Sequence, residues 1–67
     1  MISYKPFEHL LIDRDLMKKD VSEMSGVHAQ TFSKMSRGES VNLETIERIC
    51  LALNCCIEDI VEILPNE

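Results

Sequence analysis

Two glycines twelve residues apart, Gly26 and Gly38, divide the middle of this chain into short units. The segments that precede them, about 19–25 and 28–37, carry apolar residues at helical spacing. Glycine often ends a helix because it adopts a left-handed backbone conformation at little steric cost. Residues 17–38 therefore predict two short helices that are joined by a tight turn at Gly26.

This arrangement predicts a helix-turn-helix, a motif that often presents its second helix to the major groove of duplex DNA. A chain of 67 residues is expected to form one domain, 1–67, around one small core. With 45% hydrophobic and 28% charged residues, the chain should fold rather than stay disordered.

The spacing of apolar residues predicts an all-α fold of five helices. Pro6 suits the first turn of the first helix, and Asn42 suits the N-cap of the fourth. Asn54 is expected to end that fourth helix in a left-handed conformation. The helices are expected at about 6–14, 19–25, 28–37, 43–53 and near 57–61. The side chains expected to point inward are Phe7, Leu10, Leu11, Val21, Met24, Phe32, Met35, Leu43, Ile46, Ile49, Cys50, Leu53, Ile57, Ile60 and Val61.

The two ends of the chain leave two alternatives open. Residues 1–4 and 61–64 are short, β-tolerant stretches that would suit a two-stranded ribbon, within one chain or between two. The other interpretation is a frayed N-terminus and a helical last turn.

The formal net charge of −5 argues at first against a nucleic-acid partner. Its distribution along the chain favours one, because residues 17–38 hold four basic and two acidic residues. DNA responds to the local potential of the surface that docks on it. The other interpretation is that these are ordinary solvated charges.

Several function classes lack the residues that they need. The three cysteines, Cys50, Cys55 and Cys56, with His9 and His28, do not have zinc-site spacing, so we expect no metal and no other cofactor. Small apolar packing and cap positions explain the cysteines better. The chain shows no phosphate-binding glycine loop and no nucleophile–histidine constellation, so an enzyme is not expected. No apolar run is long enough to span a membrane and no signal peptide is apparent, which predicts a cytoplasmic protein.

The predicted third helix has two chemically different faces. Phe32 and Met35 lie on one side of a helical projection and should enter the core. The other side offers a small residue, an amide, a hydroxyl and cations, which are groups that bind base edges and phosphates. The alternative is that any solvent-exposed face carries such residues. The candidate contacts on this side are Ala29, Gln30, Ser33, Lys34 and Arg37.

The segment MKKDVSEMSGVHAQTFSKMSRG, followed by NLETIERICLALNCCIEDIVEI, resembles the phage repressor/Cro-like (lambda-repressor-like) helix-turn-helix family. The shared pattern is an apolar Val21, then Ser25, Gly26 and Val27, the pair Phe32 and Met35, Gly38, and L-x-T-I-x-x-I-x-x-A-L from Leu43 to Leu53. The resemblance covers about residues 5–62. The opening MISYKP and the ending DIVEILPNE resemble those of a subgroup of short bacterial transcriptional regulators. The resemblance implies the five-helix fold of the family, to which the chain ends could add a short terminal β-ribbon.

The resemblance also implies a site and partners. Base contacts are expected from Ala29, Gln30, Ser33 and Lys34. Phosphate contacts are expected from Lys18, Lys19, His28, Arg37, Ser40 and Asn42. His28 and Lys18 stand where this family usually has its helix caps. The implied partners are double-stranded DNA and a second copy of the chain in a two-fold homodimer, with no small-molecule effector evident. The alternative is a protein-interaction module, antitoxin-like or a regulatory adaptor, that has kept the fold.

Overall fold

The computed structural model describes residues 1–66, and within this range the chain forms four α-helices, one 3₁₀ turn and a two-stranded sheet. None of these helices is long and apolar enough to cross a lipid bilayer. The elements are β1 (Ile2–Ser3), α1 (Lys5–Asp13), α2 (Lys18–Ser25), α3 (Ala29–Ser36), α4 (Leu43–Leu53), the 3₁₀ turn (Ile57–Asp59) and β2 (Glu62–Ile63).

The ends of α4 follow the sequence prediction. Asn42 is the N-cap, and its Oδ1 accepts hydrogen bonds from the backbone N–H and the hydroxyl of Thr45, both at 2.8 Å. Asn54 ends the helix at φ 51°, in the left-handed region. In addition, the guanidinium of Arg14 donates to the carbonyl of Leu53, which satisfies an acceptor that the helix end leaves open.

We expect the substitution Asn42→Ala to lower the free energy of unfolding by about 1 kcal/mol, because alanine cannot accept the hydrogen bond from Thr45. Urea denaturation followed by circular dichroism would measure this loss. Asn42→Asp is the matched control, since aspartate retains the acceptor and should change stability much less. Equal losses in the two variants would contradict a capping role.

One core holds the four helices together. The rings of Phe7 in α1 and Phe32 in α3 stack with their centroids 5.8 Å apart. Val21 and Ile49, both 0% exposed, join α2 and α4 to the same core. The buried apolar side chains are Tyr4, Phe7, Leu11, Val21, Val27, Phe32, Met35, Ile46, Ile49, Leu53 and Ile60.

The predicted fifth helix is wrong: residues 57–59 form a single 3₁₀ turn, so the described chain has four α-helices. Three side chains that were expected inside are also exposed, namely Met24 (52%), Leu43 (73%) and Ile57 (46%). Helical periodicity groups residues on a face, but only the neighbouring elements decide how much of that face is covered.

The chain ends pair within one chain, so the ribbon alternative is confirmed and the helical last turn is wrong. β1 and β2 are antiparallel, with Ile2 opposite Ile63 and Ser3 opposite Glu62. The terminal ammonium of Met1 donates to the carbonyl of Leu64 at 2.8 Å, and the N–H of Leu64 donates back to Met1 at 2.8 Å. The ribbon thus joins the two ends of the domain.

The cysteines are free thiols. Burial raises the pKa of Cys50, and burial together with the negative charge and hydrogen bonding of Cys50 raises the pKa of Cys55 to about 11. Both side chains pack against the core, whereas Cys56 is exposed and caps the 3₁₀ turn. Cys50 and Cys55 therefore remain protonated near neutral pH and act as small apolar groups.

Candidate nucleic-acid interface

The turn between α2 and α3 is held by glycine and by two serines. Gly26 has φ 77°, a conformation that is open to glycine at little cost. The Ser22 hydroxyl donates to the carbonyl of Val27 at 2.6 Å, and the N–H of Val27 donates to the Ser25 hydroxyl at 3.2 Å. Val27 itself is buried, at 5% exposure. These contacts fix the direction in which α3 leaves the turn.

The helix starts differ in part from the expected pattern. The N-cap of α2 is Met17 rather than Lys18, and the backbone N–H of Met17 donates to Oδ2 of Asp20 at 2.8 Å. Lys18 is therefore the first residue of the helix, where Asp20 in the same turn offsets its unfavourable charge. His28 is the N-cap of α3, as expected, but its side chain makes no capping hydrogen bond and is exposed.

The two faces of α3 are separated as the sequence predicts. Phe32 and Met35 are 2% and 4% exposed and lie in the core. The predicted base-contacting residues are all exposed. Within residues 1–66, no hydrogen bond engages the side chains of Gln30, Ser33 or Lys34, so their donors and acceptors face solvent. The four predicted residues are Ala29, Gln30, Ser33 and Lys34.

A cleft lies on each side of α3. The first, the α2–α3 cleft, is lined by Lys18, Lys19, Ser22, Glu23, Ala29, Phe32, Ser33 and Ser36. The second, the α3–α4 cleft, is lined by Thr31, Lys34, Ser40, Val41, Asn42 and Thr45. Each cleft brings a predicted base-contacting residue of α3 beside predicted phosphate-contacting residues of a neighbouring segment.

Lys18 is held by other helices. Its Nζ lies 2.9 Å from Oε1 of Glu8 in α1 and donates to the hydroxyl of Ser36 in α3 at 2.7 Å. The Ser36 hydroxyl in turn donates to the carbonyl of Phe32 at 3.0 Å. Lys18 therefore connects three helices, and a phosphate would have to compete with Glu8 for its charge.

Arg37 is also paired, with Glu39 beyond Gly38. Its side chain lies beside the terminal ribbon, in a hollow that Met1, Ile2 and Leu64 help to line. The hydroxyl of Tyr4 donates to the carbonyl of Glu39 at 2.8 Å and so holds the loop that carries this ion pair. Arg37 lines neither of the two clefts beside α3.

These contacts change the local charge balance. Counting by position along the chain ignores Glu8 and Glu39, which lie outside residues 17–38 but pair with cations inside them. When both carboxylates are included, the local positive excess disappears. Among the cations of α2 and α3, Lys19 and Lys34 remain outside the ion pairs described for residues 1–66. The formal charge of this surface is therefore close to zero.

The structure brings seven of the ten predicted site residues into the two clefts: Lys18, Lys19, Ala29, Ser33, Lys34, Ser40 and Asn42. Gln30 lies on α3 and His28 is its N-cap; both are exposed and lie outside the clefts.

Among the described residues, no group of three or more histidine, cysteine, aspartate or glutamate side chains could hold a metal ion.

Sequence reasoning missed three residues that shape the site. Ser22 fixes the turn, Glu8 holds Lys18, and Tyr4 holds the loop after α3. The role of Ser22 could have been predicted, because a serine four residues before a helix-ending glycine is placed to bond the turn that follows. The other two contacts join segments that are 10 and 35 residues apart, and no local pattern marks them.

Comparison with known proteins agrees with this geometry. The model of the Cro/C1-type HTH DNA-binding domain family matches residues 7–66. No curated protein matches the chain significantly. The crystal structure of the transcriptional regulator VanUg is similar, with a TM-score of 0.89 and 43% sequence identity over 97% of this chain and 87% of that one. Since the family model spans nearly the whole chain and the fold agrees with it, the protein belongs to the Cro/C1-type helix-turn-helix DNA-binding domain family.

Proposed function

We propose that the protein is a transcriptional regulator that binds double-stranded DNA sequence-specifically, with α3 inserted into the major groove. The observation that carries the proposal is the exposed side of α3, where Gln30, Ser33 and Lys34 face solvent together while Phe32 and Met35 hold the helix to the core. The similar structure is itself that of a transcriptional regulator. The proposal includes no enzymatic activity, and it places the protein in the cytoplasm.

Base edges and phosphates would be contacted by different parts of this surface. A glutamine amide can bond an adenine edge with two hydrogen bonds, and lysine can bond guanine. Gln30 and Lys34 have these roles in the proposal, with Ala29 and Ser33 beside them. Phosphates on either side of the groove would meet the residues of the two clefts, Lys18, Lys19, Ser40 and Asn42, together with His28 and Arg37.

Asn42 illustrates how a structural residue can also contact DNA. Its Oδ1 is occupied by the capping bonds to Thr45, but its amide N–H₂ group remains a donor. Because the residue lines the α3–α4 cleft beside Lys34, that donor suits a phosphate oxygen.

The salt dependence of binding tests the proposal directly. We expect Lys19→Ala to weaken binding to all duplexes alike and to flatten the slope of log K against log salt by about 0.9, the value for one lost phosphate contact. Fluorescence anisotropy with labelled genomic fragments, repeated across a salt series, would measure both effects.

Lys18→Ala is the matched control for this measurement. Glu8 already neutralises Lys18, so fewer counterions are released there and the slope should change less than for Lys19→Ala. Equal slopes for the two variants would contradict the assigned role of Glu8. The absence of salt-dependent binding to any duplex would overturn the DNA-binding proposal and favour the protein-interaction module.

We further propose that the protein binds DNA as a two-fold homodimer. One eight-residue helix reads a short sequence, and two copies would read half-sites about 34 Å apart, one helical turn. Pairing of β1 with β2 inside one chain means that the dimer does not need strand exchange. Light scattering at working concentration should give a dimer mass in the presence of a two-half-site duplex. A monomer mass both with and without DNA would contradict the dimer.

A further inference from the structure

Lys18 is held by two partners of different charge, which come from two different helices. Its ammonium lies 2.9 Å from Oε1 of Glu8 in α1 and donates to the hydroxyl of Ser36 in α3 at 2.7 Å. The Ser36 hydroxyl gives its own proton to the carbonyl of Phe32 at 3.0 Å, so its oxygen is free to accept from Lys18. Ser36 therefore positions the ammonium, whereas Glu8 neutralises it.

Both members of this ion pair are accessible to a ligand. The side chain of Lys18 is 37% exposed and that of Glu8 is 45% exposed. Lys18 lines the α2–α3 cleft beside Lys19, and Glu8 lines the neighbouring hollow beside Arg37. Ser36 lines both. The Glu8 carboxylate thus lies at the boundary between two surfaces from which phosphate contacts are proposed.

The ion pair has little to contribute to stability. An exposed pair adds little because water screens its charges and two long side chains lose their freedom. It also depends on the packing of α1 beside α2, since Glu8 and Lys18 are ten residues apart and lie in different helices. Its main consequence is the charge that Lys18 can offer to a ligand.

We infer that Glu8 is an internal competitor of the DNA backbone for Lys18. In the free protein it occupies the ammonium, and a phosphate must displace it to make a full contact. The inference rests on the proposed DNA-binding function. A phosphate at Lys18 would come well within the Debye length of the Glu8 carboxylate, about 8 Å at physiological salt, so salt leaves much of their repulsion in place. Glu8 therefore lowers the sequence-independent part of DNA affinity, which depends on phosphate contacts.

Removal of the Glu8 charge should strengthen DNA binding. In Glu8→Gln the amide keeps the size of the side chain, and Ser36 still holds the ammonium in the cleft. We expect the slope of log K against log salt to become steeper by about 0.9, the value for one additional phosphate contact. Relative to 1 M salt, this slope corresponds to about fivefold tighter binding at about 0.15 M salt.

Fluorescence anisotropy across a salt series would measure both effects. The probes are a duplex selected from a random pool and an unrelated duplex of the same length. Both should gain equally, because a phosphate contact carries no sequence information. A gain that is confined to the selected duplex would place Glu8 in base recognition and overturn the inference.

Glu44→Gln is the matched control. It changes the net charge by the same amount, and it also breaks one ion pair, with Arg48 at 3.1 Å. Glu8 and Glu44 each lie in the first turn of a helix, so the loss of a favourable helix-dipole interaction is matched as well. Glu44 lines neither cleft beside α3, and its replacement should change DNA affinity less than about twofold. Equal gains in the two variants would show an effect of net charge alone and overturn the inference.

A double-variant cycle identifies the cation through which Glu8 acts. Lys18→Ala should flatten the salt slope by about 0.9 in the Glu8→Gln background and by clearly less in the wild-type background. Conversely, Glu8→Gln should have no greater effect than Glu44→Gln once Lys18 is alanine. The same effect of Lys18→Ala in both backgrounds would contradict competition for Lys18.

The inference and the proposed function fail in different ways. If neither the wild-type protein nor Glu8→Gln binds any duplex in a salt-dependent manner, both are wrong. If the wild-type protein binds DNA but Glu8→Gln binds no more tightly, the inference alone is wrong. Thermal unfolding followed by circular dichroism should give nearly the same midpoint for Glu8→Gln as for the wild type. A large decrease would assign Glu8 a structural role instead.

Discussion

Replacing Phe32 by alanine is expected to lower the free energy of unfolding by about 3–5 kcal/mol. Phe32 is 2% exposed, and its ring stacks on that of Phe7. The substitution removes this aromatic contact and leaves a cavity where α1 and α3 meet. A domain of 67 residues typically has a total stability of about 3–10 kcal/mol, so much of the variant should be unfolded at 25 °C.

Thermal and urea denaturation, followed by circular dichroism, would measure this loss. Phe32→Leu is the matched control, since it retains an apolar side chain and should cost less than the alanine variant. Ser33→Ala, at an exposed position of the same helix, should change stability by less than about 0.5 kcal/mol. A loss below about 1 kcal/mol in Phe32→Ala would contradict the role of the Phe7–Phe32 stack.

Replacing Gln30 by alanine is expected to cost about 1–3 kcal/mol of binding free energy on the preferred DNA sequence, while the fold stays intact. Gln30 is exposed, and no hydrogen bond within residues 1–66 depends on its side chain. Alanine is also a good helix former. The variant should therefore separate DNA recognition from stability, which Phe32→Ala cannot do.

The measurement begins with selection of bound sequences from a random pool, followed by anisotropy on the selected duplex and on duplexes with single base changes. Gln30→Ala should bind the selected duplex more weakly and lose discrimination at one base pair. Lys19→Ala is the contrasting variant, because loss of a phosphate contact should weaken all these duplexes alike. Uniform weakening by Gln30→Ala would place Gln30 on the backbone instead of on a base.

The positions of the helices were largely predictable because their signals are local. Asn42 caps α4 and Asn54 ends it as expected, and Gly26 takes the left-handed conformation that its position after α2 predicts. The sequence predicts a helix at 57–61, where the structure has a 3₁₀ turn at 57–59. The three apolar residues of this segment, Ile57, Ile60 and Val61, fit the spacing of a helix as well as that of a single turn. A segment of five residues is too short for its apolar positions to distinguish a helical period from a single turn.

Burial was less predictable than secondary structure. Val21 and Met24 lie on the same side of α2 by periodicity, yet Val21 is 0% exposed and Met24 is 52% exposed. An eight-residue helix covers its core-facing side with very few residues, so the flanks of the apolar stripe stay open. Leu43 is the first residue of α4, and its side chain is 73% exposed because no other helix within residues 1–66 covers it.

Local chemistry alone was enough to place the helix-turn-helix and to identify the exposed side of α3. Glycine conformation, capping and helical period act over a few residues, and each can be read from neighbours in the chain. The tertiary structure decided that Glu8 holds Lys18 and that the two chain ends pair in one ribbon. These features depend on which distant surfaces meet, because ion pairs, strand pairing and burial arise only when the folded chain brings separate segments into contact.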